Sequence, residues 1–205
     1  MYTAQHDKDK ILNETYFKDQ KNGFFVDVGA HDGKSISSTY FLESELRWSG
    51  ICIEPLERRF DELVVNRPNS ICLNKAVYTK NGTVKFLDIT GYPEMLSGIE
   101  EEYNEQHKYR IVNEIKQQGG GASLVEVSCV TLNSVFEDYD VQTIDYLKID
   151  TEGSELAILQ SIDFSKYDIK CIDVENNYNT DFKTFFEEKG YKLLIKNKID
   201  EVYVK

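Results

Sequence analysis

Residues 24–33 read Phe24-Phe25-Val26-Asp27-Val28-Gly29-Ala30-His31-Asp32-Gly33, an apolar run broken by one acid and closed by two glycines. Successive apolar residues over Phe24–Val28 predict a strand buried on both faces, the mark of a parallel sheet. Gly29 permits a tight turn after it, and Gly33 lets the next segment start close to a ligand. The G-x-x-x-G spacing differs from the G-x-G-x-x-G of dinucleotide loops. A helix is predicted over Ser35–Trp48, with Ser35 near its start and Gly50 just past its end.

Outward from this stretch the pattern repeats. Gly50–Glu54 (GICIE) reads as a strand ending in an acid, Leu56–Asn66 as a helix stopped before Pro68, and Ser70–Asn74 (SICLN) as a third strand. Later come strand Ile144–Asp150, helix Ser154–Ile162, strand Ile169–Glu175 and helix Asp181–Lys189. Upstream, residues 7 to about 20 read as an amphipathic helix, with Ile11, Leu12 and Tyr16 expected on its apolar side. Strands alternating with helices predict an α/β fold, a mostly parallel sheet with helices on both faces. The last stretch, YKLLIKNKIDEVYVK, has two strand-like halves about Asn197–Asp200 and predicts an antiparallel hairpin.

The middle breaks the rhythm. Thr83–Asp88 reads as an edge strand, Leu124–Val130 as a strand and Thr131–Tyr139 as a short helix. Between them, residues 90–122 hold GYPEMLSG, a charged helical stretch over Glu100–Gln117, and Gly119–Gly121. They predict an inserted lid with glycine hinges. The expectation is a single domain over residues 1–205, with 1–22 as a helical cap.

Composition narrows the partners. Lys plus Arg number 24 against 36 Asp plus Glu, a net charge of −12. Such a balance disfavours nucleic acid and anionic membrane as partners. Cys52, Cys72, Cys129 and Cys171 each sit in an apolar run without a C-x-x-C pair, so they read as buried thiols of a reduced cytoplasm rather than zinc ligands. The first residues lack the apolar core of a signal peptide, and no run reaches the roughly 18 apolar residues of a membrane helix. The expected location is the cytoplasm.

The glycine bend and Glu54 together point to a nucleoside. A carboxylate closing the second strand can accept both ribose hydroxyls. The bend carries Asp27 and Asp32, with Lys34 its only base. Those acids repel a pyrophosphate and attract the ammonium and sulfonium of S-adenosylmethionine. The rival readings are a nucleotide-dependent oxidoreductase, a nucleotide-sugar enzyme, and a cofactor-binding module without catalysis.

At this point the chain resembles the FkbM-type methyltransferases, a branch of the class I, Rossmann-like, S-adenosylmethionine-dependent enzymes. The resemblance rests on Gln5–Asp9 with Ile11-Leu12, on FFVDVGAHDG followed by ISST and FLE, on GICIEP, LNKAV and MLSG, and above all on IDYLKIDTEGSE. It implies a seven-stranded, mostly parallel sheet with a C-terminal antiparallel hairpin. It also implies O-methylation of a hydroxyl on a sugar, a glycan or a natural product. Gly29, His31 and Gly33 would then wrap the methionine end, and Asp27 would receive its ammonium. Ser35, Ser38 and Thr39 would bond its carboxylate, although relatives commonly carry Asn where Ser38 stands. Glu54 would hold the ribose, Pro55 and Leu56 would pack on the adenine, Ala76 and Val77 would read its edge, and Gln5 would close the site.

The chemistry is expected at the next strand tips. Asp150 and Glu152 end the fourth core strand, and Glu175 and Asn176 the fifth. A hydroxyl needs help to lose its proton, from a carboxylate or a divalent metal. Either Asp150 or Glu152 acts as base, or Asp150, Glu175 and Asn176 hold Mg²⁺ or Mn²⁺, a placement similar to catechol O-methyltransferase. Lys148 shares a face with Asp150 and needs a partner, Asp27 or Asp173, to be buried. It then orients the acids rather than reacting. His6 and His107 read as solvated, Glu155 as a first-turn acid, Trp48, Phe41 and Leu42 as core, and Ser97 and Gly98 as pocket lining.

Overall fold

The computed structural model describes residues 1–205. The chain begins with α1 (Lys8–Leu12), β1 (Phe24–Val28), α2 (Tyr40–Leu46), β2 (Ser49–Ile53), α3 (Glu57–Asn66), β3 (Ile71–Leu73), β4 (Ala76–Val77) and β5 (Gly82–Thr90). It continues through β6 (Gly98–Ile99), α4 (Glu105–Gln118), β7 (Gly121–Val130), α5 (Leu132–Asp138), β8 (Thr143–Ile144) and β9 (Tyr146–Ile149). It ends with α6 (Glu155–Ser161), β10 (Asp168–Ile169), β11 (Cys171–Glu175), α7 (Phe182–Glu187), β12 (Lys192–Lys196) and β13 (Asp200–Val204).

Seven strands form the main sheet in the order β12-β13-β11-β9-β1-β2-β3. The five from β11 to β3 run parallel, and β13 pairs antiparallel with both β11 and β12. The α/β class and the closing hairpin are therefore as expected. Both faces of the sheet are covered. Val26, Val28, Leu147, Ile149, Ile172 and Val174 pack under Phe136, Ile158, Leu159, Phe182 and Phe186 from α5, α6 and α7. On the other face Phe25, Cys52, Tyr146 and Cys171 meet Leu12, Phe41, Leu42, Leu63 and Trp48. Each such side chain taken fully out of water contributes about 1.5–3 kcal/mol.

That second face ends in charge. Asp27, Lys148 and Asp173 stand in register across β1, β9 and β11. Lys148 Nζ lies 3.4 Å from Asp27 Oδ1 and 3.3 Å from Asp150 Oδ2. Asp173, the other expected partner, is taken instead by Lys8 of α1 at 2.8 Å and by the Tyr146 hydroxyl at 2.5 Å. Burial alone would pull both lysines down, but their carboxylates hold them above the ordinary range.

The predicted elements differ from those observed in four places. Residues 35–39 are not helical. Ser37 Oγ accepts from the amides of Thr39 and Tyr40, so the hydroxyl-rich ISST stretch caps the helix that it was expected to form. Left-handed Arg47 ends α2 before Trp48. Thr83–Asp88 is not an edge strand: it lies within β5, which pairs with β7 over nine positions inside a second sheet, β4-β7-β5-β6. That pairing anchors both ends of residues 91–120. There the charged helix begins only at Glu105, capped by Asn104, whose Oδ1 accepts from the amide of His107 at 2.8 Å. All four cysteines are free, three of them buried and Cys72 half-buried. No helix is long and apolar enough to cross a membrane.

Breaking the central ion pair leaves two carboxylates without their cation. Lys148→Met is expected to lower stability by about 3–5 kcal/mol in urea unfolding at pH 7; a loss below 1 kcal/mol would mean that the pair carries no structural weight.

Candidate active site

The order of strands reverses between β1 and β9, the place where open α/β sheets form a crevice at the strand C-termini. A cavity of about 240 Å³ opens there. Gly29 builds its floor. With φ 77° it adopts the left-handed region, and a Cβ on it would lie 1.9 Å from the Asp150 carbonyl oxygen. The Gly29 and Ala30 amides donate to Ile53 O at 3.0 and 3.1 Å, which fastens the bend to β2. The Glu54 carboxylate accepts from the His31 amide at 3.0 Å and the Leu56 amide at 2.9 Å. Burial pushes its carboxyl up to about 7 against the pull of those two amides. Glu54 is thus fixed by the backbone and still has acceptor capacity for the cavity.

Of the residues singled out above, Gln5, Asp27, Gly29, His31, Ser35, Glu54, Pro55, Leu56, Ala76 and Val77 line this cavity, together with Lys148, Asp150, Glu152, Glu175 and Ser97. Five others do not. Gly33 packs under α3, where a Cβ would meet Leu63 and Arg67, so its smallness serves packing and not a ligand. Ser38 Oγ lies 3.0 Å from the Tyr146 hydroxyl in the interior. Thr39 Oγ1 donates to Asp27 Oδ2 at 2.6 Å, steadying that acid from behind. Gly98 is pressed against Tyr103 and the Thr151 carbonyl. Asn176 is committed to Thr180 and Glu201 through its side-chain amide.

The loss of Asn176 breaks the expected metal set. The carboxylates that gather are Asp150, Glu152 and Glu175, with ligand oxygens within 4.8 Å of one another. Glu152 takes a left-handed backbone, φ 58°, which turns its side chain into the cluster. Burial, and then repulsion from Asp150, pushes the Glu152 and Glu175 carboxyls well above the usual range. Glu155 is buried and accepts from the amides of Thr151 at 2.8 Å and Gly153 at 3.1 Å. It shapes the loop that carries Glu152, a larger part than a solvated first-turn acid plays.

Three contributors escaped the sequence reading. His107 is 1% exposed, not solvated. Its Nε2–H donates to Leu96 O at 3.2 Å, and its Nδ1 accepts from the Tyr178 hydroxyl at 2.7 Å. Glu152 Oε2 stands 3.6 Å from the same Nδ1. Burial lowers the imidazole pKa, which keeps the ring neutral. Buried Ile111, one helical turn beyond His107, marks the inward face of α4 and was the available signal. Lys8 and Arg110 also line the cavity, and Arg58 and Arg59 pair with Glu94 to tie the insertion to α3.

Comparison with known proteins gives the family. The Methyltransferase FkbM domain family matches residues 27–193, from the first strand to the terminal hairpin. The methyltransferase sdnD of Sordaria araneosa is 25% identical over 195 residues, covering 84% of this chain and 74% of that protein. A solved methyltransferase FkbM from Methylobacillus flagellatus KT superposes with a TM-score of 0.53 at 13% identity, a likeness of fold alone. It covers 91% of this chain and 44% of that one, so the chain spans less than half of that relative's length. With the family match running from Asp27 through every strand tip of the cavity, the chain belongs to the FkbM methyltransferase family.

Proposed function

We propose that the protein moves a methyl group from S-adenosylmethionine to a hydroxyl oxygen on a sugar, a glycan or a natural product. The observation that carries this reading is the pair of strand-tip acids, Asp27 and Glu54, on either side of the Gly29 bend. Lys148, buried behind the bend, is already paired with Asp27 and Asp150. A pyrophosphate would bring further negative charge up to these acids, whereas a cationic nucleoside is attracted. The donor set fits: Asp27 Oδ1 is buried with no hydrogen-bond donor, and Glu54 is pre-set by two amides.

In this reading Glu54 accepts the ribose hydroxyls, and Asp27 with the Gly29 and His31 backbone faces the ammonium. Ser35 bonds the carboxylate. Pro55 and Leu56 cover the adenine, Ala76 and Val77 meet its edge, and Gln5 closes the mouth. When bound, S-adenosylmethionine supplies a methyl on a positively charged sulfur. The chain's own task is to hold the acceptor hydroxyl, take its proton and keep water away. Glu152 suits the proton: its buried Oε2 has no hydrogen-bond partner, and burial raises its carboxyl well above the usual range, so its carboxylate is a stronger base than an exposed one. Asp150, held by Lys148, positions the acceptor. The Leu96 carbonyl, which accepts from His107 and Tyr103, fixes the segment whose Met95 and Ser97 line the site. The net charge of −12 supports a small-molecule or glycan acceptor over nucleic acid or an anionic membrane.

S-adenosylhomocysteine at a hundredfold excess over its dissociation constant should stabilise the protein against heat by about 3 kcal/mol, and NADH should not. A shift with NADH alone would favour the oxidoreductase reading. Because Glu54 titrates near 7 in the free protein, its proton must leave before the carboxylate can accept two hydroxyls. Affinity for S-adenosylhomocysteine should therefore fall about tenfold per pH unit below 7 and level off above it, and Glu54→Gln should flatten that slope. With an acceptor in hand, Glu152→Gln should lower kcat about a hundredfold or more with cofactor affinity kept. Cofactor binding without methylation of any hydroxyl acceptor would favour the non-catalytic module.

A further inference from the structure

Across the sheet the cavity has two ends. Glu54 sits at the tip of β2 and Glu175 at the tip of β11, three strand spacings or about 14 Å apart. The nucleoside end is matched to its ligand. The other end is not, because its three carboxyls crowd one another with few donors between them.

Glu175 is 8% exposed and lines the cavity. The charged groups that act on it most are all carboxylates, those of Asp150, Glu152, Glu155 and Asp200. Glu152 Oε2 is likewise buried without a hydrogen-bond partner, facing the lone pair of neutral His107. Most cations within reach are already paired. Lys148 serves Asp27 and Asp150, Lys8 serves Asp173 and Asp200, and Arg110, bonded to Glu114, gives Glu152 only part of its charge and is not among the groups that act most on Glu175. Buried carboxylates without a partner are costly, and a cation arriving between them relieves that cost.

We propose that Glu152 and Glu175, with Asp150, form a subsite for an ammonium group, so that the acceptor carries an amine next to the hydroxyl that is methylated. One ammonium nitrogen with three hydrogen bonds of about 2.9 Å spans oxygens about 4.7 Å apart, and the three carboxylates lie within 4.8 Å of one another. The same charge rejects acceptors bearing a carboxylate or phosphate. This inference rests on the methyltransferase reading and extends it to the class of acceptor.

The test is an equilibrium titration of the S-adenosylhomocysteine-loaded protein with D-glucosamine, N-acetyl-D-glucosamine, D-glucuronate and Mg²⁺. Glucosamine and its N-acetyl form differ chiefly by the charge on one nitrogen. Glucosamine should bind about tenfold or more tightly than the N-acetyl form, with glucuronate weakest, and Glu175→Gln should erase the preference. That variant removes one carboxyl from a crowded buried cluster, so it should unfold at no lower temperature than the parent. Equal affinities in the parent, a preference that survives Glu175→Gln, no binding of glucosamine, or saturation by Mg²⁺ in its place would each overturn the ammonium subsite. Failure of S-adenosylhomocysteine to bind at all would instead remove the methyltransferase reading beneath it.

Discussion

Lys148 lies in the middle of a parallel sheet, on a strand whose four residues are all buried, and it is kept there by Asp27 on one neighbouring strand and by Asp150 two residues along its own. Desolvating an ammonium costs several kcal/mol, and only close carboxylates offset it. The requirement fixes more than one contact. It sets β1 against β9 in the register that puts Asp27 opposite Lys148. It brings the Asp150 carbonyl so near Gly29 that no other residue fits at the bend. Thr39 then braces Asp27, and Lys8 and Tyr146 hold Asp173 by its Oδ2 on the third strand. The crevice at the strand tips is the outer edge of this buried charged row.

The site inherits an asymmetry from that row. At the β2 end, carboxylates are held by backbone amides and the walls are apolar, as a nucleoside requires. At the β11 end, carboxylates outnumber their donors. The insertion between β5 and β7 spans both ends, tied to α3 through Glu94 and to the loop after β11 through the His107–Tyr178 hydrogen bond. Closing such a crevice with a neutral, fully hydrogen-bonded imidazole adds no further charge to an already acidic chamber.

Much of this was legible in the sequence, for physical reasons. Doubly buried strands read as continuous apolar runs, so Phe24–Val28 and its repeats exposed the sheet. A carboxylate just past a strand end declares itself, so Glu54 and Asp150 stood out. What escaped reading depended on partners distant along the chain. Ser38 and Asn176 look like site residues, yet Tyr146 and Glu201 draw them inward. The ISST stretch reads as helix until Ser37 captures the amides of Thr39 and Tyr40. His107 reads as solvated because its own helix is charged, and only the packing of Leu96 and Tyr178 over it makes it a buried hinge of the network. Lys8 escaped because its two acids lie on strands far along the chain.

The central claim is that the β1 and β2 tips together cradle a cationic nucleoside. A crystal structure of the protein grown with S-adenosylhomocysteine tests it most directly. The account predicts the ribose hydroxyls on the Glu54 carboxylate and the amino group beside Asp27 and Gly29. A bend left empty under saturating ligand, or one that takes a diphosphate in preference, would contradict it.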